Sequence, residues 1–140
     1  MYKYGIIVGG FVLDQITKLL ARTNLGAENF EIIPNVLEFN LAFNKGIAFS
    51  IPITRWISSA LSLVIIGYLF WLLKNPLEKN KHGYYFVLAG AFGNLFDRIW
   101  FGEVTDFISV LQFPIFNVAD SFVSIGVILL LWTEFFEKKR

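Results

Sequence analysis

The chain has no cysteine and a single histidine. The first absence excludes disulfides, thiolate metal sites and a cysteine nucleophile. The second leaves no partner for a histidine-based zinc site. His82 lies in the polar run KNPLEKNKHG, where a solvated loop histidine is expected rather than a catalytic one. Charge is scarce too: 16% of residues are Asp, Glu, Lys or Arg, against about 25% in soluble domains. A net charge of +1, with no basic stripe interleaved with aromatics, leaves no footprint for nucleic acid. No repeat, low-complexity tract or linker divides the chain, so one domain over residues 1–140 is expected.

What the chain does contain is hydrocarbon. It is 56% hydrophobic and 18% aromatic, with a mean hydropathy of +0.60, the balance of an integral membrane protein. A bilayer core about 30 Å thick needs about 20 mostly apolar helical residues. Residues 4–22, 56–73, 83–100 and 115–134 meet that length. Lys3 before the first run resembles a signal peptide, but Asp14 and Lys18 interrupt the run and no clean small-residue cleavage site follows, so a retained first span is expected. Lys3, the segment with Lys74, Lys79 and Lys81, and the tail with Lys138, Lys139 and Arg140 fall on one side of four spans, predicted cytoplasmic. Residues 23–55 and 101–114 then face out, with Lys45 and Arg55 as a smaller opposing charge. Tyr2, Tyr4, Trp56, Trp71, Tyr84, Tyr85, Trp100 and Trp132 near span ends suit interfacial belts.

In the first outer segment, VLEFNLAFN sets Leu37, Phe39, Leu41 and Phe43 in alternation with Glu38, Asn40, Ala42 and Asn44, the period-2 signal of a half-buried strand. The expected fold is therefore an all-α bundle of four transmembrane helices. A small extracytoplasmic β-sheet platform over about residues 30–50, with a turn at Gly46, separates the first two helices. Residues 101–114, including Asp106, are expected to be an outer connection, with a short apolar loop from Ser109 to Asn117.

All four aspartates, Asp14, Asp97, Asp106 and Asp120, lie in or beside apolar stretches. Insertion scales put Asp at a helix centre near +2.5 to +3.5 kcal/mol, roughly, which makes a functional site the default reading. The topology brings Asp14, Lys18, Asn94, Asp97, Arg98, Asp106, Asn117 and Asp120 to one depth, toward the outer face. Asp14 and Lys18 form an i,i+4 pair that either supports the fold or orients a substrate. Asp97 beside Arg98 reads as an interfacial anchor, and Asn94 can serve a backbone carbonyl as well as a ligand. Gly5, Gly9, Ala89 and Gly93 read as helix-packing positions. Asp106 and Asp120 lack an evident dedicated cation, and make a better acid/base pair than a scaffold.

Five segments, DQITK (14–18), NKGIAFS (44–50), AGAFGNLFDR (89–98), EVTDFI (103–108) and FPIFNVADS (113–121), resemble in order the motifs of the bacterial lipoprotein signal peptidases, or signal peptidase II. Ile47 stands where that family usually has a small residue, and Thr105 where it usually has Val. The resemblance implies a multi-pass aspartic endopeptidase of the bacterial cell membrane. Such enzymes cut prolipoproteins just before a diacylglyceryl-modified cysteine. By motif, Asp106 and Asp120 become the catalytic pair, with Asp14, Lys18, Asn44, Gly46, Asn94, Arg98 and Asn117 orienting or binding around it. It further implies no metal or other cofactor. The expected partners are the lipidated prolipoproteins and membrane lipids, the termini cytoplasmic and the chain a monomer.

Two other classes compete. A small proton-coupled transporter would want its acid near mid-membrane with access from both faces, whereas these acids lie toward one face. A non-enzymatic scaffold would leave the Asp106–Asp120 pair unexplained.

Overall fold

A computed structural model describes residues 2–26, 29–46, 54–75 and 81–137. In chain order these form α1 (Tyr2–Asn24), β1 (Phe30–Ile33), β2 (Leu37–Asn44), α2 (Arg55–Leu73), α3 (His82–Trp100), β3 (Val104–Val110) and α4 (Val118–Trp132), which runs on into a π-helical turn at Thr133–Glu137. Three helices are long and apolar enough to cross a membrane: α1, α2 and α4 with its extension. Ile47, the rest of its motif to Ser50, Lys79 and the tail residues 138–140 lie outside the described residues.

α3 packs against α1, α2 and α4 and has the largest buried face, from Gly83 to Asp97. The apolar core joins Ile66 and Leu69 of α2 to Tyr84, Val87, Leu88 and Leu95 of α3. Tyr84 and Tyr85, expected at an interface, are buried here, because a helix enclosed by three neighbours turns even its first residues inward. Tyr4, Trp56, Trp71, Trp100 and Trp132 are exposed, as a belt requires. Helices α1, α2 and α4 carry their large apolar side chains outward, the inverse of a soluble bundle.

On α1 the buried stripe is Gly10, Asp14, Lys18 and Ala21, spaced at one helical turn. A Cβ on Gly10 would stand 2.8 Å from both Ala89 and Phe122, whereas Gly5 and Gly9 meet nothing within 4 Å. The packing glycines of the first helix are thus one phase away from those expected. On α3 and α4 the close seam is Gly83, Gly90 and Gly93 against Ala119 and Gly126.

The sheet differs from expectation in one respect that matters for the site. It is antiparallel with order β1-β2-β3, so its third strand comes from the α3–α4 connection rather than from between the first two helices. Asp106, expected in a connection, lies within β3 opposite Ala42, and Ser109 belongs to the strand rather than to the apolar loop. Burial along β2 is intermediate on both faces except at exposed Phe43, without the alternation its sequence suggests. A break in the β2–β3 register between Phe39 and Ala42 shifts the phase there. β1 and β2 turn at Asn35, whose φ of 57° is a left-handed conformation that Asn tolerates well. α4 begins at Val118 rather than 115, since Asn117 caps it.

The α3–α4 seam gives a direct test. A methyl at Gly90 would land on the Ala119 carbonyl oxygen and press on Val123, and overpacking of this kind costs about 1–3 kcal/mol. Gly90→Ala should lower the thermal unfolding midpoint of the detergent-solubilised protein. Gly67→Ala, where a methyl meets nothing within 4 Å, should leave it unchanged or raise it.

Candidate active site

The polar side chains of the site come from α1, α3, α4, β2 and β3, and they form one connected network. Its deepest part is a charge cluster. Lys18 Nζ lies 2.9 Å from Asp14 Oδ2 and 3.2 Å from Asp97 Oδ2, with all three side chains essentially inaccessible. Asp97 also receives the Thr105 backbone N–H at 3.1 Å, the Gln15 amide at 3.1 Å, and the Arg22 guanidinium at 3.4 Å. Its partners are therefore Lys18 and Arg22 on α1, and it is a buried junction rather than a surface anchor paired with Arg98. Asp14 does more than balance Lys18: its Oδ1 accepts the backbone N–H of Ala119 at 2.8 Å, one of the free amides in the first turn of α4. Gly93 makes room for it, because a Cβ there would land on the Asp14 carboxylate.

One step outward, Lys18 Nζ donates to Asn94 Oδ1 at 3.0 Å, and Asn94 Nδ2 donates to Asp120 Oδ1 at 2.8 Å. The sequence N-V-A-D forms a capping box at the start of α4. Asn117 Oδ1 accepts the Asp120 N–H at 2.9 Å, and Asp120 Oδ2 accepts the Asn117 N–H at 3.3 Å. The same asparagine donates Nδ2 to Asp106 Oδ1 at 2.6 Å and to Asn94 Oδ1 at 3.1 Å. Asn117 thus ties both aspartates together. On the strand side, Asn44 Nδ2 reaches Asp106 Oδ2 at 3.3 Å, while its Oδ1 takes the Gly46 N–H at 2.9 Å, a side-chain turn that closes the end of β2.

Asp106 and Asp120 both line a cavity of about 720 Å³, together with Asn44, Asn94 and Arg98. The rest of its wall is largely apolar, from Phe113 to Phe116 and from Val123 and Ile125 of α4. That volume and mixture are those of a small-ligand or peptide site. Arg98 Nη2 makes only a long contact to the Gly46 carbonyl at 3.4 Å, and its buried Nε has no hydrogen-bond partner among the described residues. Burial, and then the charge of Asp120, push the Asp106 carboxyl up to about 6, against the hydrogen bonds from Asn117 and Asn44. Two carboxylates in one water-poor cavity do not both ionise cheaply, so the pair can hold one proton between them and exchange it.

All nine residues expected at the site, Asp14, Lys18, Asn44, Gly46, Asn94, Arg98, Asp106, Asn117 and Asp120, fall within this network. Asp14 and Lys18 stand behind the cavity wall rather than in it. Sequence reasoning missed Gln15, Arg22 and Thr105. Arg22 had a readable signal, one helical turn beyond Lys18 as Lys18 is beyond Asp14. Gln15 had none.

The chain is similar to known proteins over most of its length. The family described as Signal peptidase (SPase) II matches residues 6–136. The lipoprotein signal peptidase of Microcystis aeruginosa is 38% identical over 96% of this chain and 92% of its own length. That of Acinetobacter baumannii is 40% identical over 97% and 84%. Two solved structures described as bacterial membrane enzymes superpose with TM-scores of 0.87. One, at 32% identity, covers 93% of this chain and 85% of its own; the other, at 31%, covers 96% and 93%. Nothing among these similarities favours a transporter. With motifs, fold and sequence in agreement over nearly its whole length, the chain belongs to the signal peptidase II family of bacterial membrane peptidases.

Proposed function

We propose that this chain is a lipoprotein signal peptidase in which Asp106 and Asp120 form the catalytic pair. The observation that carries the assignment is their joint presence on one cavity, bridged through Asn117. Asp120 has an N–H donor on each oxygen and sits in the first turn of α4, where the helix dipole favours an anion. Asp106 has a strong donor only on Oδ1, so its Oδ2 is the natural carrier of the shared proton. In the forward step Asp120 takes a proton from water as the water oxygen attacks the scissile carbonyl carbon. Asp106 donates its proton to the carbonyl oxygen, which becomes a hydroxyl of the tetrahedral intermediate. The carboxyls then exchange roles: one delivers a proton to the departing amine while the other recovers one from that hydroxyl. Arg98 lines the cavity, and its guanidinium binds backbone carbonyls of the substrate.

The substrate is a prolipoprotein cut just before its diacylglyceryl-modified cysteine, and the apolar wall along Phe113, Val123 and Ile125 suits the signal helix and acyl chains. α3 completes a four-span bundle. Its lower apolarity is no obstacle, because its neighbours rather than lipid enclose it. The termini are then cytoplasmic, the acids and the sheet face outward, and one monomer of a single domain holds the whole site.

Asp106→Asn and Asp120→Asn keep shape while removing the exchangeable proton site. Each should lower release of signal peptide from a lipidated prolipoprotein by about 10³-fold or more, and the double variant should be scarcely worse than either. Turnover near wild type in either variant would remove the assignment.

The pH profile follows from the raised Asp106 carboxyl. It holds its proton below about 6 and loses it above, so kcat/KM should fall as pH rises through that value, and fall again at low pH once the pair holds two protons instead of one. Bound substrate excludes more water, so the alkaline limb of kcat should lie at higher pH than that of kcat/KM. A profile flat from pH 4 to 9, roughly, would contradict a shared proton.

The absence of native cysteine makes orientation simple to test. In intact spheroplasts, a membrane-impermeant thiol reagent should label Val36→Cys but not Lys74→Cys. The reverse pattern would invert the proposed topology.

A further inference from the structure

Behind the cavity wall lies a contact that the proposed chemistry does not use. Thr105 is fully buried, and neighbouring strand residues point to opposite faces. As Asp106 faces the cavity, Thr105 faces back toward α1 and α3. There its Oγ1 accepts a 2.6 Å hydrogen bond from Arg22 Nε, and its backbone N–H goes to Asp97 Oδ2 at 3.1 Å. The guanidinium is itself held on two further sides. Nη2 stands 3.4 Å from Asp97, and the plane stacks on Phe101, 3.6 Å from the ring centroid. Arg22 therefore joins the end of α1, the end of α3 and the start of β3 at the residue next to Asp106.

We propose that Arg22 is a positioning residue for the reaction: acting through Thr105, it braces β3 from behind and fixes the direction in which that strand presents the Asp106 carboxyl. This rests on Asp106 being catalytic. The brace is particular to this chain, since the resemblance leads one to expect Val at position 105. β3 is the edge strand of the sheet, bridged on its outer side at Phe116, and its pairing with β2 is irregular between Phe39 and Ala42, beside Asp106, so a further contact from behind restricts small shifts of the strand. Asn117 and Asn44 hold the tip of the carboxyl, β2 and the Phe116 backbone pair with β3 along the strand, and the Arg22–Thr105–Asp97 contact adds a hold on the face turned toward α1 and α3. A planar guanidinium suits the task because it stacks on Phe101 and donates Nε to Thr105 while its charge stands beside Asp97, which an ammonium does not reproduce.

The test uses the full-length enzyme and a lipidated prolipoprotein, with kcat and KM measured per folded molecule and thermal unfolding followed in parallel. Thr105→Val removes the acceptor at nearly constant volume. It should lower kcat by about 10- to 100-fold, the effect of a small misplacement of a reacting group, with KM little changed. Arg22→Lys, which keeps the charge beside Asp97, should lower kcat similarly, and the two changes combined should not multiply. Thr105→Ser, which keeps the hydroxyl, should recover most of the rate. Wild-type kcat in folded Thr105→Val, or a Thr105→Ser enzyme as slow as Thr105→Val, would overturn the proposal. Asp106→Asn run alongside separates the two readings: inactive Asp106→Asn with fully active Thr105→Val refutes the brace alone, whereas active Asp106→Asn refutes the catalytic pair beneath it.

Discussion

The bond from the Ala119 amide to the Asp14 carboxylate is the joint on which this site depends. It is a capping interaction made across the bundle, from α1 to the first turn of α4, and it is buried. An isolated carboxylate in that place would be prohibitively costly to desolvate. Lys18 offsets the charge, Asp97 and Arg22 extend the compensation, and Gln15 fills remaining acceptor positions. A buried ion cluster of this kind is seldom a source of net stability compared with well-packed hydrocarbon. Its use here is geometric. Apolar side chains slide past one another at little cost, but a charge with directed partners has one satisfactory arrangement. In a bundle whose exterior is hydrocarbon, that cluster fixes the rotation and depth of α1, α3 and α4 relative to one another.

The two cavity aspartates inherit their differences from the elements that carry them. Asp120 is part of a helix terminus, so its oxygens meet amides whose positions the helix dictates. Asp106 is on a strand at the edge of a small sheet, buried and within reach of the Asp120 charge, which raises its proton affinity. In the proposed chemistry identical side chains serve as acid and base because one stands where backbone dipoles favour an anion and the other is buried. Asn117 belongs to both environments. It caps the helix with its oxygen and holds Asp106 with its nitrogen, so helix initiation and assembly of the pair are one event.

The helices were legible as long apolar runs, and β2 in the alternation of residues 36–44, because each signal is local and periodic. β3 was not, for a reason tied to function. In VTDFISV the apolar phase is Val104, Ile108 and Val110, and Asp106 occupies the position where another apolar residue would complete it. The residue that gives the strand its chemistry also erases its pattern. Its partner strand lies some 60 residues earlier, so no hairpin turn betrays the pairing either. Depth told which polar groups of the helices and the Asp106 segment would meet, whereas Asn44 and Gly46 entered only through the family resemblance, and all of them fall in one network. Depth could not tell who pairs with whom, and Asp97 went to Lys18 and Arg22 instead of Arg98. The packing glycines failed in a similar way: spacing identifies a stripe, but only the neighbours decide whether Gly9 or Gly10 lies on it.

One sequence must satisfy lipid, a water-dependent reaction and a folded interior, and the structure separates these by level. Along most of their length the helices keep hydrocarbon outward and small residues at the seams. Near one end the buried faces become ionic, and there the sheet lies over the bundle. Between them the cavity is apolar along α4 and polar at Asn44, Asn94, Arg98, Asp106 and Asp120. A peptide bond at the end of a lipid-embedded helix meets the same change of medium at the same level. Nearly two turns deeper along α4, where Gly126 faces Gly83 and Val87 of α3, a carboxyl would meet an apolar seam. Moving the acids outward would lose the amides and cations that hold them. At their height in the bundle the two carboxyls are buried enough to share a proton, as the proposed chemistry requires, and still line the cavity.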